Sequence, residues 1–140
     1  MQNCVFCGIV QGRIPSSVIH DEEDVISFLD INPVQRGHAL VIPKKHVIDI
    51  WDLEPRAFTR VMEVTKRVAH RMRETMGTEG ANIFNFNASG RPAGQDIYHF
   101  HMHVIPLSSD ERTKFAQWWS GASRHAQRGE LDELARTLRF

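Results

Sequence analysis

Three histidines alternate with apolar residues in one short stretch of the chain, YHFHMHVIP at residues 98–106. If this stretch is a β-strand, His99, His101 and His103 lie on one face and the apolar residues between them point into a core. Neighbouring imidazoles are then roughly 7 Å apart, twice the rise per residue. This spacing favours one central reacting group with a helper on each side over three ligands crowded around one ion.

Two other interpretations of these histidines remain open. A single histidine on a strand is usually solvated or hydrogen-bonded, and we interpret His20, His70 and His125 in this way. Strict alternation of three histidines is much less expected by chance. Metal binding is the second alternative, because a His-x-His pair on a strand chelates an ion when ligands from elsewhere complete the set.

A polar segment precedes the histidines. Residues 87–95, NASGRPAGQ, are rich in turn-forming residues and follow an alternating stretch at residues 82–87. Gly94 permits close approach of the backbone to a ligand, and the Gln95 amide can donate to a phosphate or leaving-group oxygen without carrying charge. This pattern indicates a loop that carries polar groups to the histidine face.

The length and the charge balance of the chain agree with those of a small soluble enzyme. The 140 residues fit one domain without a repeat or linker, and Lys plus Arg equals Asp plus Glu at 17 each. Balanced charge gives no global field toward nucleic acid or anionic membrane, so we expect neither partner. The N-terminus lacks a signal-peptide pattern and no apolar run approaches membrane-spanning length, which predicts a cytoplasmic, reducing location.

The only two cysteines, Cys4 and Cys7, form one Cys-x-x-Cys pair. A redox motif of the thioredoxin type needs a surrounding βαβ pattern, which this N-terminus lacks. A structural zinc site needs two further ligands, which must be histidines because no cysteine remains. Two unligated thiols are the third interpretation.

Periodicity predicts the elements. Pro55 suits a first helical turn and Gly77 a helix end, and the apolar stripe between them indicates core packing rather than a site. Close successive strands with one long helix favour an antiparallel α+β domain. The predicted elements are a short helix near 5–10, strands near 24–28 and 38–42, a helix over 55–76, strands over 81–87 and 97–105, and a helix over 130–139.

The histidine stretch fits the pattern His-φ-His-φ-His-φ-φ, with φ apolar, and here the chain resembles the histidine triad (HIT) superfamily of nucleotide hydrolases and transferases. Further segments resemble its Hint branch, so the resemblance covers about residues 4–107. It implies one HIT domain over 1–140, with a five-stranded antiparallel sheet, one long and one or more short helices, and a C-terminal helical extension over about 108–140. It also implies a homodimer in which the two sheets join. The Hint-like segments are residues 4–7, 14–16, 28–33, 37–46 and 94–95.

The resemblance implies phosphate chemistry at four residues. His101 would attack the α-phosphorus of a nucleotide and form a nucleotidyl-histidine that water hydrolyses. A neutral imidazole can attack in this way when an acceptor holds its far N–H. His103 would donate to the non-bridging phosphate oxygens, His38 would complete the phosphate shell, and Gln95 would orient the leaving atom.

The resemblance also implies a nucleoside site. Asp30 would accept hydrogen bonds from both ribose hydroxyls, and Asn87 would lie on the phosphate side. An Asx-turn cap is the alternative role for Asp30. Asp96 stands where many relatives have a hydroxyl residue, and a carboxylate there either protonates a leaving amine or weakens contacts to a polyphosphate. The apolar residues expected to border the base are Ile26, Phe28 and Leu29.

Some HIT proteins with the N-terminal cysteine pair bind zinc through it, together with two histidines that correspond to His46 and His99. We therefore expect one structural zinc per chain, held by Cys4, Cys7, His46 and His99, and no organic cofactor. On this interpretation His99 stabilises the fold and leaves the other two triad histidines for chemistry.

The favoured function is hydrolysis of purine nucleoside phosphoramidates or related AMP and GMP conjugates. Two alternatives stay open: a dinucleoside polyphosphate hydrolase or nucleotidyl transferase of the same superfamily, and a catalytically weak nucleotide- or zinc-binding regulatory protein. A metal-dependent hydrolase with all three triad histidines as ligands conflicts with a histidine nucleophile. Trp118 and Trp119 are expected in a core or a dimer interface.

Overall fold

The computed structural model describes residues 4–87, 97–107 and 127–139. The chain divides into two compact units, Met1–Ser108 and Ser109–Phe140. In the part of the chain that is described, no helix is both long and apolar enough to cross a bilayer. Predictions for six residues lie outside the described ranges and stay predictions: Gly94, Gln95, Asp96, Trp118, Trp119 and His125.

Five strands of the first unit form one antiparallel sheet in the order β1-β2-β3-β5-β4. This arrangement confirms the predicted α+β class with a five-stranded antiparallel sheet. The second unit contains one described helix, α3 (Arg128–Leu138). The elements of the first unit are α1 (Val5–Val10), β1 (Val18–Asp21), β2 (Val25–Leu29), β3 (Ala39–Pro43), α2 (Pro55–Met76), β4 (Gly80–Phe84) and β5 (Met102–Leu107).

The long helix α2 covers one face of the sheet, as its apolar stripe predicts. It begins at Pro55 and ends at Gly77, whose φ of 65° places it in the left-handed conformation typical of a helix C-terminus. Each fully buried valine or methionine of such a stripe contributes about 1.5–3 kcal/mol of transfer free energy. The side chains that α2 buries against the sheet include Val61, Val64, Val68 and Met72.

The opposite face of the sheet carries α1 and a second apolar cluster. Burial on both faces explains why β2 and β3 are apolar almost throughout and do not alternate. The side chains of this cluster are Phe6, Ile26, Phe28, Leu40 and Ile42.

The structure corrects the predicted strand limits near the histidines. The predicted strand over 97–105 begins only at Met102, so His103 is the one triad histidine within β5. The reason is that two backbone N–H groups find partners outside the ladder: His99 N–H donates to the Ile97 carbonyl, and Phe100 N–H donates to the Val47 carbonyl. The strand predicted over 81–87 ends at residue 84, and the short edge strand β1, with its mostly exposed residues, was not predicted.

Candidate functional site

The face of the sheet that carries α1 also holds a cleft of about 830 Å³. Its polar lining brings together Asp30, His38, His101 and His103, which are far apart in sequence. The lining also contains many apolar side chains, among them Val5, Ile9, Ile31, Val34 and Phe86. An apolar cleft with a few convergent polar groups is the usual form of a small-molecule site.

His101 is buried at the base of this cleft. Its Nδ1 lies 2.6 Å from the backbone carbonyl oxygen of His99. A carbonyl only accepts hydrogen bonds, so the neutral ring carries its proton on Nδ1 and keeps its lone pair on Nε2. This is the tautomer that nucleophilic attack through Nε2 requires.

His38 and His103 form a second, linked pair. The Val34 backbone N–H donates to His38 Nδ1 over 3.2 Å, so the proton of the neutral His38 ring is on Nε2. That N–H donates to His103 Nδ1 over 2.8 Å, which places the His103 proton on Nε2. The His103 Nε2 is buried and has no hydrogen-bond partner among the described residues. The pair therefore presents one N–H donor to a ligand.

Burial keeps this pair uncharged. The pKa of His103 falls from 6.5 to about 4, mainly because of desolvation and also because of the neighbouring His101 and His38. Desolvation also lowers the pKa of His38, against a smaller opposing effect of the Asp30 carboxylate. At pH 7 both rings are neutral, as the hydrogen-bond chain requires.

The metal alternative for the triad does not fit these contacts. Among the described residues, no group of converging metal ligands contains the three triad histidines together. Asp30, His38 and His103 do place donor atoms within 4.8 Å of one another. However, an ion at His38 Nε2 needs the lone pair of that nitrogen, and the Val34 N–H on the other ring nitrogen leaves a proton there.

Aromatic rings pack against the imidazoles of His101 and His103. His103 stacks on Phe84 with centroids 4.9 Å apart, and the edge of Phe86 approaches it at 5.7 Å. Phe6 meets His101 edge-on at 5.3 Å. The centroids of His101 and His103 are only 4.9 Å apart, closer than the roughly 7 Å of a regular strand, because His101 precedes the ladder.

Asp30 makes the Asx-turn contact that is the alternative to its expected role in ribose binding. Its Oδ1 accepts the Asn32 backbone N–H at 2.8 Å, which closes an Asx turn. Its Oδ2 lies 3.6 Å from His38 Nε2 in the cleft. One carboxylate oxygen is therefore structural, and the other faces the site.

The remaining predicted substrate residues divide into two groups. Phe28 and Leu29 line the cleft. Ile26 is buried in the apolar cluster that contains Phe28 and is not among the described residues that line the cleft, and its expected place beside the nucleobase stays a prediction. Asn87 is not among the described lining residues, and its Oδ1 accepts the Ile50 N–H at 2.8 Å.

Several contacts of the triad were not predicted from the sequence, among them those of Phe6, Phe84 and Asn85. Asn85 donates through Nδ2 to the His101 carbonyl oxygen at 2.7 Å. Both Phe84 and Asn85 belong to the alternating stretch at residues 82–87, but alternation alone shows which residues share a face and not what they contact. Phe6 lies between the two cysteines, where only the metal pattern was informative.

The predicted zinc ligands converge beside the triad. Cys7 Sγ lies 3.2 Å from His46 Nδ1 and 3.7 Å from His99 Nδ1, and Cys4 Sγ lies 3.5 Å from His99 Nδ1. Zinc bonds of about 2.3 Å to sulfur and 2.0–2.1 Å to nitrogen place tetrahedral ligands about 3.5 Å apart. His99 Nε2 donates to the Pro43 carbonyl at 2.7 Å, which leaves the Nδ1 lone pair for an ion.

The chemistry of the donor set also fits a cation. Desolvation raises the pKa of the Cys7 thiol, and its hydrogen bond with Cys4 raises it further. Desolvation lowers the pKa of His99 to about 4, against the bond to the Pro43 carbonyl. Without an ion this pocket therefore favours neutral side chains, and a bound zinc would compensate two thiolates. The four residues fit a structural zinc site.

Comparison with known proteins decides the family. The HIT domain family matches residues 11–110. The chain belongs to the HIT family. A HIT-like protein of Methanocaldococcus jannaschii is 40% identical over 138 residues, which cover 97% of this chain and 98% of that protein. The adenosine 5'-monophosphoramidase of Schizosaccharomyces pombe is 36% identical over 109 residues, or 78% of this chain and 77% of that enzyme.

Solved structures agree with the HIT fold. A zinc-bound histidine triad family protein from Mycobacterium smegmatis superposes with a TM-score of 0.75 at 34% identity, covering 97% of this chain and 92% of that one. Proteins of the HIT superfamily are nucleotide hydrolases or transferases, and this is the general class of activity of this HIT protein.

Proposed function

We propose that this HIT protein hydrolyses purine nucleoside phosphoramidates or related AMP and GMP conjugates at the α-phosphate, through a nucleotidyl-histidine. The observation that carries the proposal is the tautomer of His101, whose Nδ1–H is bound to the His99 carbonyl and whose ring lines the cleft. The phosphoramidase named among its relatives supports the choice of substrate class.

The reaction follows from the two uncharged nitrogens. His101 Nε2 attacks the α-phosphorus and the phosphorus–nitrogen bond to the leaving amine breaks, and the amine takes up a proton from solvent as it departs. Water then attacks the same phosphorus and releases a proton to solvent, the bond to His101 breaks with its electron pair returning to Nε2, and the nucleoside monophosphate leaves. The His103 Nε2–H stabilises charge on the non-bridging oxygens in both steps. His38 keeps that proton in place, and Gln95 is the predicted orienting residue.

Nucleoside binding uses the other end of the cleft. Phe28 and Leu29 offer an apolar wall to the purine. The Oδ2 of Asp30 is the acceptor for the ribose hydroxyls, because its Oδ1 is already engaged in the Asx turn. Asn87 retains its Nδ2 for the phosphate side.

We further propose one structural zinc per chain at Cys4, Cys7, His46 and His99. Support comes from the spacing of the four donor atoms and from the zinc-bound relative of M. smegmatis. When bound, the ion supplies a cross-link that ties α1 to the segments after β3 and before β5. No organic cofactor is needed for the two phosphoryl steps.

We also propose a homodimer that joins two sheets at β4. This strand is an edge of the described sheet, and Ile83 on it is 42% exposed. A shallow groove between α2 and β4 contains apolar side chains of Met62, Ala69 and Ala81. An exposed edge with apolar neighbours is suited to pairing with another strand. A cytoplasmic location and the absence of nucleic-acid and membrane partners stay predictions.

Steady-state hydrolysis of adenosine 5'-phosphoramidate tests the proposed function. The wild-type protein should release AMP, and His101→Asn should lose turnover by several orders of magnitude while still binding AMP. The matched control is His70→Asn, which removes an exposed histidine of α2 and should leave turnover unchanged. Absence of turnover in the wild type would overturn the proposal, and faster hydrolysis of diadenosine polyphosphates would favour the alternative hydrolase.

A further inference from the structure

The proposed nucleophile lies just outside the sheet. The β4–β5 pairing ends at Phe84 opposite His103, and the β3–β5 pairing ends at Val41 opposite Met102. His101 precedes both ends, so neither ladder holds its backbone. A residue in that position is normally freer than a strand residue, yet nucleophilic attack requires a fixed ring.

Two local hydrogen bonds replace the ladder at His101. The ring is held through Nδ1 to the His99 carbonyl at 2.6 Å, and the backbone carbonyl is held by Asn85 Nδ2 at 2.7 Å. The carbonyl oxygen only accepts, so the amide must face it with its NH2 group and not with its oxygen. The Asn85 side chain thus takes the place of the backbone donor that β4 would have supplied.

Packing alone does not explain why a polar amide side chain is present at Asn85. The Oδ1 of Asn85 is buried and has no hydrogen-bond partner within the described ranges. A buried acceptor without a partner lowers stability relative to an apolar side chain of the same shape. Such a group is expected where a specific contact matters more than stability.

We infer that Asn85 is a positioning residue for His101, which fixes the peptide plane of the nucleophile and through it the aim of Nε2 at phosphorus. This inference rests on the proposed function. Asn85 acts on the nucleophile and does not contact the substrate, so it governs the rate of histidine nucleotidylation and not the affinity for nucleotide. Misplacement of a reacting group by about 1 Å is enough to lower a rate by about 100-fold.

Rapid-quench labelling with radioactive adenosine 5'-phosphoramidate tests the inference. Asn85→Asp keeps the shape of the side chain but replaces the donor with an acceptor, and Asn85→Ala removes both groups. Both variants should form the nucleotidyl-histidine roughly 10- to 100-fold more slowly than wild type. Their dissociation constants for AMP should stay within about threefold of wild type. Asn82→Asp, the same change on β4 opposite Ile105, is the matched control and should label at the wild-type rate.

Several results would overturn the inference. Equal labelling rates in the wild type and both Asn85 variants would show that the contact is dispensable. A parallel loss of AMP affinity, or failure of both variants to fold, would assign Asn85 to substrate binding or to stability instead. Absence of labelling in the wild type would overturn the proposed function, and the inference with it. If the wild type is labelled, the rates of the Asn85 variants test the inference separately from the proposed function.

Discussion

At the scale of single residues, hydrogen bonds set the tautomers of the site. The Val34 N–H fixes the proton of His38, His38 fixes the proton of His103, and the His99 carbonyl fixes the proton of His101. The result is a lone pair on His101 Nε2 and an N–H donor on His103 Nε2, in a cleft that also contains the Asp30 carboxylate. Under the proposed function, the His103 N–H dipole stabilises the negative charge on the phosphate oxygens.

The neutral histidines make stability depend on pH. His103 has a pKa of about 4 in the folded protein because of burial, against 6.5 as its ordinary value. Between these values the unfolded chain binds more protons, so the free energy of unfolding falls as pH drops from about 6.5 to about 4. Urea unfolding across this window should show a smaller fall for His103→Asn than for the wild type. An equal fall in both proteins would contradict the buried neutral state, and His70→Asn should match the wild type.

One substitution at Asp30 separates its contact in the Asx turn from its proposed contact with the ribose. Asp30→Asn retains a side-chain oxygen for the Asx turn but removes the carboxylate from the ribose side. We expect AMP affinity to fall roughly tenfold, as for loss of a charged hydrogen bond, while melting temperature changes little. Titration calorimetry with 2',3'-dideoxyadenosine monophosphate should show similar affinity for both proteins. An equal loss for AMP and the dideoxy nucleotide would exclude the ribose contact.

At the scale of elements, the cysteine pair brings α1 close to the histidine segment that precedes β5. Phe6 of α1 contacts both Phe28 and His101, and its neighbour Cys7 approaches His46 and His99. A zinc ion there would fix the wall of the cleft and the start of the triad together.

Removal of one zinc ligand should affect stability more than chemistry. His46→Asn should lose the metal and lower the melting temperature by roughly 10 °C or more, while much of the activity remains at low temperature. His70→Asn removes a histidine outside the cluster and should keep both metal and stability. Elemental analysis and thermal unfolding check these results. About one zinc per chain is expected in the wild type, and metal-free protein with chelator-independent melting would contradict the site.

The spacing of apolar residues along the sequence predicted those elements in which this spacing is regular. The limits of α2 follow from Pro55, Gly77 and the apolar stripe between them. The start of β5 did not follow, because the Phe100 N–H bonds to the Val47 carbonyl, a partner more than 50 residues away that no local pattern reveals. The Asn85 contact was missed for the same reason. The family resemblance located His38 and the zinc ligands, which spacing alone leaves open.

At the scale of the whole molecule, apolar clusters cover both faces of the sheet in the first unit, and β4 forms one edge of that sheet. If two copies pair there, Ile83→Lys should convert the dimer to a monomer, because a charge on an edge strand opposes pairing. Sedimentation equilibrium of both proteins measures this. Glu23→Lys, also exposed but in the turn between β1 and β2, is the control for added charge. A monomeric wild type at micromolar concentration would contradict the proposed dimer.

The central claim is that His101 becomes covalently nucleotidylated. Mass spectrometry of acid-quenched or denatured protein, taken within the first turnovers on adenosine 5'-phosphoramidate under conditions that preserve phosphorus–nitrogen bonds, tests it most directly. The account predicts an added adenylyl group on the peptide that contains His101, absent from His101→Asn. Turnover by the wild type without any modified histidine, or an adenylyl group on His99 or His103 instead, would contradict it.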